Sequence, residues 1–315
     1  MFELIFLGTS ASSPSAHRSL SAHMLLHRQY RFLIDCGEGT QRQILKSGLG
    51  FKRLNRILLT HAHLDHILGL GGLVSTLTRW ESLDEVEIYG GKATIDRVRD
   101  LLYKVVLRGN PPKAELNFIT LKDGDVLVED DKFKVSTFAV QHRGPGCFGF
   151  LFEEKARRPF LSHLADTLGV PNGPERGKLV SGNSITLADG TQITPDQVLG
   201  DTIQGTKYVH IGDVGKTARL VDICHAADVL TIESTYIEED AAMASQFGHM
   251  TAARSAKFAQ QIEAKTLILN HISRRYFERD IRSEAQAIFP NSYVARDFDH
   301  FEISRDGVKR KNLLR

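Results

Sequence analysis

The sequence predicts a layered α/β fold. Short apolar or β-branched runs alternate with helical patterns along most of the chain, which favours strands and helices packed in layers. A chain of 315 residues is long enough to bury a core without disulfide cross-links. Its composition, 42% hydrophobic and 25% charged, is typical of a globular protein.

Strands and helices are predicted in turn along the chain. Apolar runs bounded by turn residues predict strands at residues 2–8, 22–27, 31–35, 56–60, 86–89, 132–140, 147–152, 207–211, 229–233 and 266–270. Helical periodicity predicts helices at residues 40–47, 66–78, 93–106, 217–225, 252–263 and 276–288.

Composition and residue patterns argue against several protein classes. Three cysteines at irregular spacing, Cys36, Cys147 and Cys224, indicate neither a disulfide framework nor a thiolate zinc site. The formal net charge of +2 does not by itself indicate nucleic-acid binding, so any basic surface must be local. The first residues predict a strand rather than a signal peptide, and the longest apolar run, residues 67–74, is too short to span a bilayer. We therefore expect a cytoplasmic protein that does not enter a membrane.

Residues 154–200 interrupt the regular pattern. This stretch is rich in proline and glycine, most densely at residues 169–177, and its periodicity is weak. An insertion of this kind is more consistent with a projecting arm than with part of a central core. We call this segment the arm.

A cluster of possible metal ligands follows the apolar run at residues 57–59. It contains His61, His63, Asp65 and His66, four ligands within six residues. One interpretation is a polar loop whose histidines cap a helix or satisfy hydrogen bonds in the core. The crowding of imidazoles and a carboxylate instead favours a site for zinc or a similar divalent ion.

Three further candidate ligands, His142, Asp213 and His271, follow predicted strands. Taken singly, a histidine or aspartate at a strand end is often a cap or a turn residue. The ends of separate strands can, however, converge at one edge of a sheet, where α/β proteins usually place their sites. Seven ligands are too many for one tetrahedral zinc and suit two ions that share a carboxylate.

We assign these ligands to two ions. The first is bound by His61, His63 and His142, the second by Asp65, His66 and His271, and Asp213 lies between them. Two ions about 3.5–4 Å apart can stabilise charge on both the attacking and the leaving oxygen. The pattern therefore favours hydrolysis of a phosphodiester.

The motif His-x-His-x-Asp-His at residues 61–66 resembles that of the metallo-β-lactamase superfamily. Within this superfamily the chain is similar to the ribonuclease Z family, endonucleases that remove 3′ trailers from transfer RNA precursors. The narrower resemblance is carried by residues 7–10, 35–41, 169–177, 248–251 and 271–276.

This resemblance implies a fold, a cofactor and partners. The fold is the four-layer αββα metallo-β-lactamase fold, with residues 1–315 as a single domain and the arm as an inserted, flexible element that binds transfer RNA. The resemblance also implies two Zn²⁺ per subunit at the seven assigned positions, a homodimer, and precursor transfer RNA as the substrate. Mn²⁺ is possible because the same nitrogen and oxygen ligands accept it.

Roles at the reaction centre follow from the same resemblance. Asp65 is the candidate general base, and His249 is the candidate group that handles the proton of the departing 3′ oxygen. The residues alone also allow His249 to be a helix-entry residue before the N-cap Thr251. Residues 35–40 predict the end of a strand, a glycine turn and the start of a helix. Asp35 in this segment is a candidate support for a zinc-binding histidine rather than a ligand.

Candidate RNA contacts on the arm are Lys155, Arg157, Arg158, Arg176 and Lys178. Such residues hold the phosphate backbone without reading its sequence; the alternative is a solvated charged surface. Arg274, Arg275 and Tyr276 follow His271 closely enough to reach a phosphate or stack on a base, or they begin a helix with exposed arginines.

Two other functions fit the sequence. The first keeps the fold and metals but hydrolyses small phosphodiesters or sulfate esters; the arm argues against it, because a small substrate does not need one. The second is an RNA-binding subunit without chemistry. The complete ligand set argues against that function, because so many polar residues around one pocket are costly to bury.

Overall fold

A computed structural model describes residues 1–79, 83–110 and 112–312. The strands are β1 (Phe2–Gly8), β2 (Ala22–His27), β3 (Tyr30–Ile34), β4 (Arg56–Leu58), β5 (Glu85–Gly90), β6 (Glu115–Thr120), β7 (Val126–Glu129), β8 (Phe133–Val140), β9 (Cys147–Glu154), β10 (Ile185–Thr186), β11 (Gln192–Ile193), β12 (Lys207–His210), β13 (Val229–Glu233), β14 (Thr266–Asn270), β15 (Ser292–Val294), β16 (Asp299–Ser304) and β17 (Gly307–Asn312).

The α-helices are α1 (Thr40–Ser47), α2 (Leu64–Ile67), α3 (Leu70–Arg79), α4 (Lys92–Arg99), α5 (Ser162–Thr167), α6 (Pro174–Val180), α7 (Val221–Cys224), α8 (Ala241–Phe247), α9 (Ala252–Gln261) and α10 (Glu278–Gln286). Helix α4 continues directly as a π-helix, Asp100–Leu107. Among the described residues, no helix combines the length and apolarity needed to span a bilayer.

Two large sheets face each other. One has the order β17-β16-β1-β2-β3-β4-β5-β6, and the other has the order β15-β14-β13-β12-β9-β8-β7. Aromatic side chains fill the space between them: the ring centroid of Phe152 lies 5.5 Å from Phe32 and 6.5 Å from Phe2, which belong to the opposite sheet. Phe152 also stacks on Tyr208 at 5.6 Å within its own sheet. Because these rings are apolar and buried, they hold the two sheets together.

Helices cover the outer face of each sheet. Ile44 of α1 and Leu73 of α3 belong to the apolar cluster on the eight-stranded sheet. Phe258 of α9 and Ile281 of α10 belong to the cluster on the seven-stranded sheet. The structure therefore confirms the predicted α/β class and the four-layer αββα order.

The chain forms two compact units, and the smaller one consists of Glu129–Lys134 and Glu153–Gly205. It contains the whole arm and has elements that the sequence did not predict: α5, α6 and the short hairpin of β10 and β11. These elements pack around an apolar cluster of their own, formed by Ala165, Val170, Leu179, Ile185, Ile193, Val198 and Leu199. The assignment of the whole chain to one domain stays a prediction.

The predicted helix at residues 66–78 is two helices, α2 and α3. They are separated at Gly69, whose amide donates a hydrogen bond to the Cys36 carbonyl at 2.9 Å. A β-carbon at Gly69 would lie 2.0 Å from the carbonyl oxygen of Gly37, so only glycine allows this close approach. The chain changes direction at this contact, which places the segment after the ligand cluster against Cys36 and Gly37 in the turn that follows β3.

Candidate metal centre

The candidate ligands lie where strands end. His61 follows β4, His142 follows β8, Asp213 follows β12 and His271 follows β14. Strands β12, β13 and β14 are parallel to one another, as are β3, β4 and β5. Parallel strands present their carboxyl ends at the same edge of a sheet, which explains why residues far apart in sequence meet here.

Asp213 lies between two groups of histidines. Its Oδ2 atom is 3.5 Å from Nε2 of His61 and 3.7 Å from Nε2 of His142. Its Oδ1 atom is 3.5 Å from Nε2 of His66 and 3.4 Å from Nε2 of His271. One carboxylate therefore faces both groups with different oxygens, as a ligand shared by two ions must.

Atoms suited to bind a metal crowd this edge within 4.8 Å of one another, in one group of His61, His63, His142 and Asp213 and another of Asp65, His66 and His271. Nε2 of His61, Nε2 of His142 and Oδ1 of Asp213 are buried, and none has a hydrogen-bond partner in the described part of the chain. A buried polar atom without a partner costs about 1–3 kcal/mol. Divalent cations satisfy nitrogen and carboxylate donors of this kind, so the residues present fit a metal cofactor.

The opposite ring nitrogens of the histidines are held by other groups. Nδ1 of His66 lies 2.7 Å from Oδ2 of Asp35. Asp35 in turn accepts hydrogen bonds from the amide of Thr60 at 2.8 Å and from its hydroxyl, and that hydroxyl is 3.0 Å from Nδ1 of His61. Asp35 is 1% exposed and supports the ring of His66 directly and the ring of His61 through Thr60.

Two further histidines are fixed in the same way. Nδ1 of His142 donates to the carbonyl of Gly248 at 2.7 Å. Nδ1 of His271 is 2.9 Å from the hydroxyl of Thr235, which donates its own proton to Glu233 at 2.5 Å. With Nδ1 engaged, Nε2 of each ring points toward Asp213.

Glu233 belongs to the centre although the sequence analysis did not select it. It is 1% exposed and accepts hydrogen bonds from the amide of Val214 at 2.7 Å and from Nδ1 of His249 at 2.9 Å. The available signal was its position, since Glu233 ends β13 as His142, Asp213 and His271 follow their strands. Thr60 and Thr235 were missed as well, and nothing in their sequence context distinguishes them from ordinary strand-end threonines.

Burial keeps three of the histidines neutral. It lowers the pKa of His61, which is 2% exposed, well below the ordinary value, and lowers the pKa of His63 and His142 as well. A neutral imidazole keeps the lone pair that binds a metal. These three residues are the ones assigned to the first ion.

Carboxylates dominate the electrostatics around His66. Burial opposes its charged form, but Asp213, Asp35 and Asp65 together raise the pKa of His66 to about 10. Conversely, burial would raise the pKa of Asp65, and the neighbouring His66 lowers it below the usual range. The centre thus carries concentrated negative charge that attracts cations.

His249 lies on the loop before α9 and is turned onto Glu233. Burial opposes its charged form, but the Glu233 carboxylate raises the pKa of His249 to about 9. The helix cap is Thr251, whose hydroxyl accepts a hydrogen bond from the amide of Arg254 at 3.1 Å. The N-terminus of α9 is therefore capped without His249. Nδ1 of His249 contacts Glu233, and its Nε2 does not.

The loop that follows β1 contacts Asp65. Its Oδ2 atom accepts a hydrogen bond from the backbone amide of Ser12 at 2.8 Å and is 3.3 Å from Nε2 of His271. Ser12, Asp35 and His271 all have left-handed backbone conformations, with φ of 57°, 58° and 55°. Each costs about 1 kcal/mol or more, so the surrounding structure must fix them.

The arm lies in the smaller unit, and most of its candidate RNA-binding residues pair with carboxylates of that unit. The ion pairs are Lys155 with Glu129 at 2.8 Å, Arg158 with Asp196 at 2.5 Å, Arg176 with Asp166, and Lys178 with Glu175 at 3.0 Å. The backbone of Arg157 pairs with Ile203. Exposed ion pairs contribute only about 0–1 kcal/mol, so an incoming phosphate can replace the carboxylates.

Known proteins resemble this chain over nearly its whole length. A family model described as a beta-lactamase superfamily domain matches residues 30–203 and 192–272. Ribonuclease Z of Bradyrhizobium diazoefficiens is 46% identical, with 96% of this chain and 100% of that protein covered. Ribonuclease Z of Archaeoglobus fulgidus is 37% identical, with coverage of 97% and 99%. The crystal structure of human tRNase Z, short form, matches with a TM-score of 0.67 at 27% identity, covering 96% of this chain and 99% of that one.

Proposed function

The chain belongs to the ribonuclease Z family of the metallo-β-lactamase superfamily, and from this premise we propose that it removes the 3′ trailer from precursor transfer RNA. As a metal-dependent endoribonuclease it would cut one phosphodiester and leave a 3′-hydroxyl on the transfer RNA. The single observation that supports this chemistry best is the position of Asp213, whose two oxygens face two separate groups of histidines.

Two Zn²⁺ per subunit are proposed, with Mn²⁺ as the alternative. The first would be held by His61, His63 and His142, the second by Asp65, His66 and His271, and both by Asp213. When bound, such a pair supplies Lewis acidity that activates water and stabilises charge on the phosphate oxygens. The carboxylates and neutral imidazoles described above are the donor set that this chemistry needs.

Asp65 is the proposed general base. Its carboxylate keeps a pKa below the usual range, despite burial, because of His66, and is therefore ionised at neutral pH and able to accept a proton. The amide of Ser12 at 2.8 Å fixes the orientation of Oδ2.

His249 is the proposed proton donor to the departing 3′ oxygen. Its pKa of about 9 keeps the ring protonated at neutral pH. Nδ1 is hydrogen-bonded to Glu233, so Nε2 is the atom that can give a proton to the substrate. The hydrogen bond also fixes the plane of the ring, which a positioned acid requires.

The remaining parts of the proposal concern location and assembly. We propose a cytoplasmic homodimer whose arm holds the transfer RNA away from the cut. The exposed basic side chains of the arm support an RNA contact. Light scattering after size-exclusion chromatography tests the dimer directly.

The deciding experiment maps the ends produced from a precursor transfer RNA by the purified protein. We expect one cut at the start of the trailer, a 3′-hydroxyl on the transfer RNA, and no cut after treatment with chelator. Competition between the precursor and bis(p-nitrophenyl) phosphate separates this function from a small-molecule hydrolase. Preference for the small ester, or RNA binding without any cut in the metal-loaded protein, would refute the proposal.

A further inference from the structure

Tyr236 lies beside the candidate proton donor. Its backbone pairs with the loop of His249 on both sides, because its amide donates to Met250 at 3.2 Å and its carbonyl accepts from Ala252 at 2.9 Å. The ring centroids of Tyr236 and His249 are 6.0 Å apart, and the tyrosine ring is only half-buried. An aromatic face is therefore held at a fixed place next to His249 and remains open to solvent.

Two exposed arginines lie near this tyrosine. Arg143 follows the ligand His142, and its guanidinium lies 5.7 Å from the ring centroid of Phe247. Arg275 follows the ligand His271, and its guanidinium donates to Sδ of Met243 at 3.4 Å. Both cations are close enough to act electrostatically on the hydroxyl of Tyr236.

Neither guanidinium forms an ion pair with a carboxylate within the ranges that the structure describes, although the neighbouring centre is rich in carboxylates. The side chain of Arg143 passes close to Gly248, where a β-carbon would lie only 3.2 Å from its Cγ. The Gly248 carbonyl is the group that orients His142. These cations are thus kept at the edge of the centre with their donors available.

A partly exposed aromatic ring with two nearby guanidinium groups, neither of which is paired with a carboxylate of the described residues, matches single-stranded nucleic acid. Bases stack on aromatic side chains irrespective of their identity, and arginines bind the phosphates on either side. Resting on the proposed function, we propose that Tyr236, Arg143 and Arg275 bind the nucleotide whose 3′ oxygen leaves, which we call the nucleotide before the cut. That nucleotide must lie at His249, because its 3′ oxygen receives the proton.

The stacking part of the proposal is tested with Tyr236→Ala and Tyr236→Phe on precursors that lack one base. On intact RNA, Tyr236→Ala should lower kcat/KM on the order of tenfold, and Tyr236→Phe should resemble the wild type because the ring is kept. Removing the base before the cut should lower wild-type kcat/KM similarly and cost Tyr236→Ala nothing more. If the losses in kcat/KM from Tyr236→Ala and from removal of the base before the cut multiply when they are combined, the stacking assignment is overturned. It is also overturned if Tyr236→Ala is coupled equally to removal of the base after the cut.

The arginines are tested by the salt dependence of RNA binding. Arg143→Gln and Arg275→Gln should each raise KM and flatten the slope of log affinity against log salt by roughly 0.7, the value for one phosphate on a single strand. Arg279→Gln is the matched control, because Arg279 is exposed on α10 and pairs with Asp280. An unchanged slope in both Arg143→Gln and Arg275→Gln would overturn the phosphate contacts.

The proposed function and this inference fail in different ways. All the variants should keep their metal content, because none of these residues is a proposed metal ligand. A wild-type protein that does not cut precursor transfer RNA would refute the function. If the wild-type protein cuts precursor transfer RNA and the variants of Tyr236, Arg143 and Arg275 cut it equally well, only the inference is refuted.

Discussion

Replacement of Glu233 by Gln tests the role of His249 as a proton donor. Glu233 is buried, and its carboxylate accepts a hydrogen bond from Nδ1 of His249 at 2.9 Å. Burial by itself would lower the pKa of His249, but the carboxylate raises it to about 9. A neutral amide of nearly the same shape removes that charge, so the pKa should fall to its ordinary value of 6.5 or below.

The size of the effect follows from the protonated fraction of His249. With a pKa of about 9, the ring keeps its proton over the whole neutral range and loses it as the pH rises through 9. With the ordinary pKa, about one tenth of the molecules keep the proton at pH 7.5. We therefore expect cleavage of precursor transfer RNA to fall at least about tenfold at that pH, and the alkaline limb of the pH profile to move down by about two and a half pH units.

Single-turnover cleavage between pH 5.5 and 9.5, with metal content measured for each variant, is the assay. A substrate with sulfur in place of the bridging 3′ oxygen needs no proton on its leaving group. Glu233→Gln and His249→Ala should therefore regain most of their activity on it. Variants that contain normal metal but stay defective on the sulfur substrate would refute the acid role, and loss of metal would assign Glu233 to the structure of the centre.

Three further results are expected. Asp65→Ala should abolish turnover almost completely in single-turnover assays, because it removes both the proposed base and a proposed ligand of the second ion, and a fully active variant would overturn both roles. Asp35→Asn should weaken metal binding about 10- to 100-fold in chelator competition, since the carboxylate that fixes the His66 ring becomes a neutral amide; unchanged affinity would remove Asp35 from the centre. Deletion of residues 154–200 should reduce processing of precursor transfer RNA far more than hydrolysis of bis(p-nitrophenyl) phosphate, and equal losses would contradict an RNA-binding arm.

Sequence patterns were most reliable for the long, regular elements. Strands β1, β2, β13 and β14 and helix α1 have the predicted bounds, because apolar runs or an amphipathic turn pattern mark them clearly. The hairpin of β16 and β17 was missed. In β16, buried Phe301 and Ile303 alternate with the partly exposed Glu302 and Ser304, and such a short alternation is weak evidence until β1 is known to pair with it.

In the candidate centre as well, local sequence patterns revealed some residues and not others. Its seven proposed ligands were selected from a compact motif and from strand ends, and the structure brings them together. Glu233 could have been selected by its position at the end of β13, but its role and that of Tyr236 depend on the loop of His249 folding back onto that strand end. That pairing joins residues distant in sequence, and local patterns carry no signal for it.

The charges of the arm limit how it can bind RNA. Residues 154–200 contain five basic side chains and five acidic ones, which are Glu154, Asp166, Glu175, Asp189 and Asp196. The arm therefore has no formal net charge, and most of its cations already have carboxylate partners. Long-range attraction of RNA cannot come from such a surface, because opposite charges cancel beyond a Debye length of about 10 Å. If the arm holds transfer RNA as proposed, it does so through short-range contacts, and the attraction that acts at longer range comes from cations without carboxylate partners among the described residues, such as Arg143 and Arg275 at the edge of the centre.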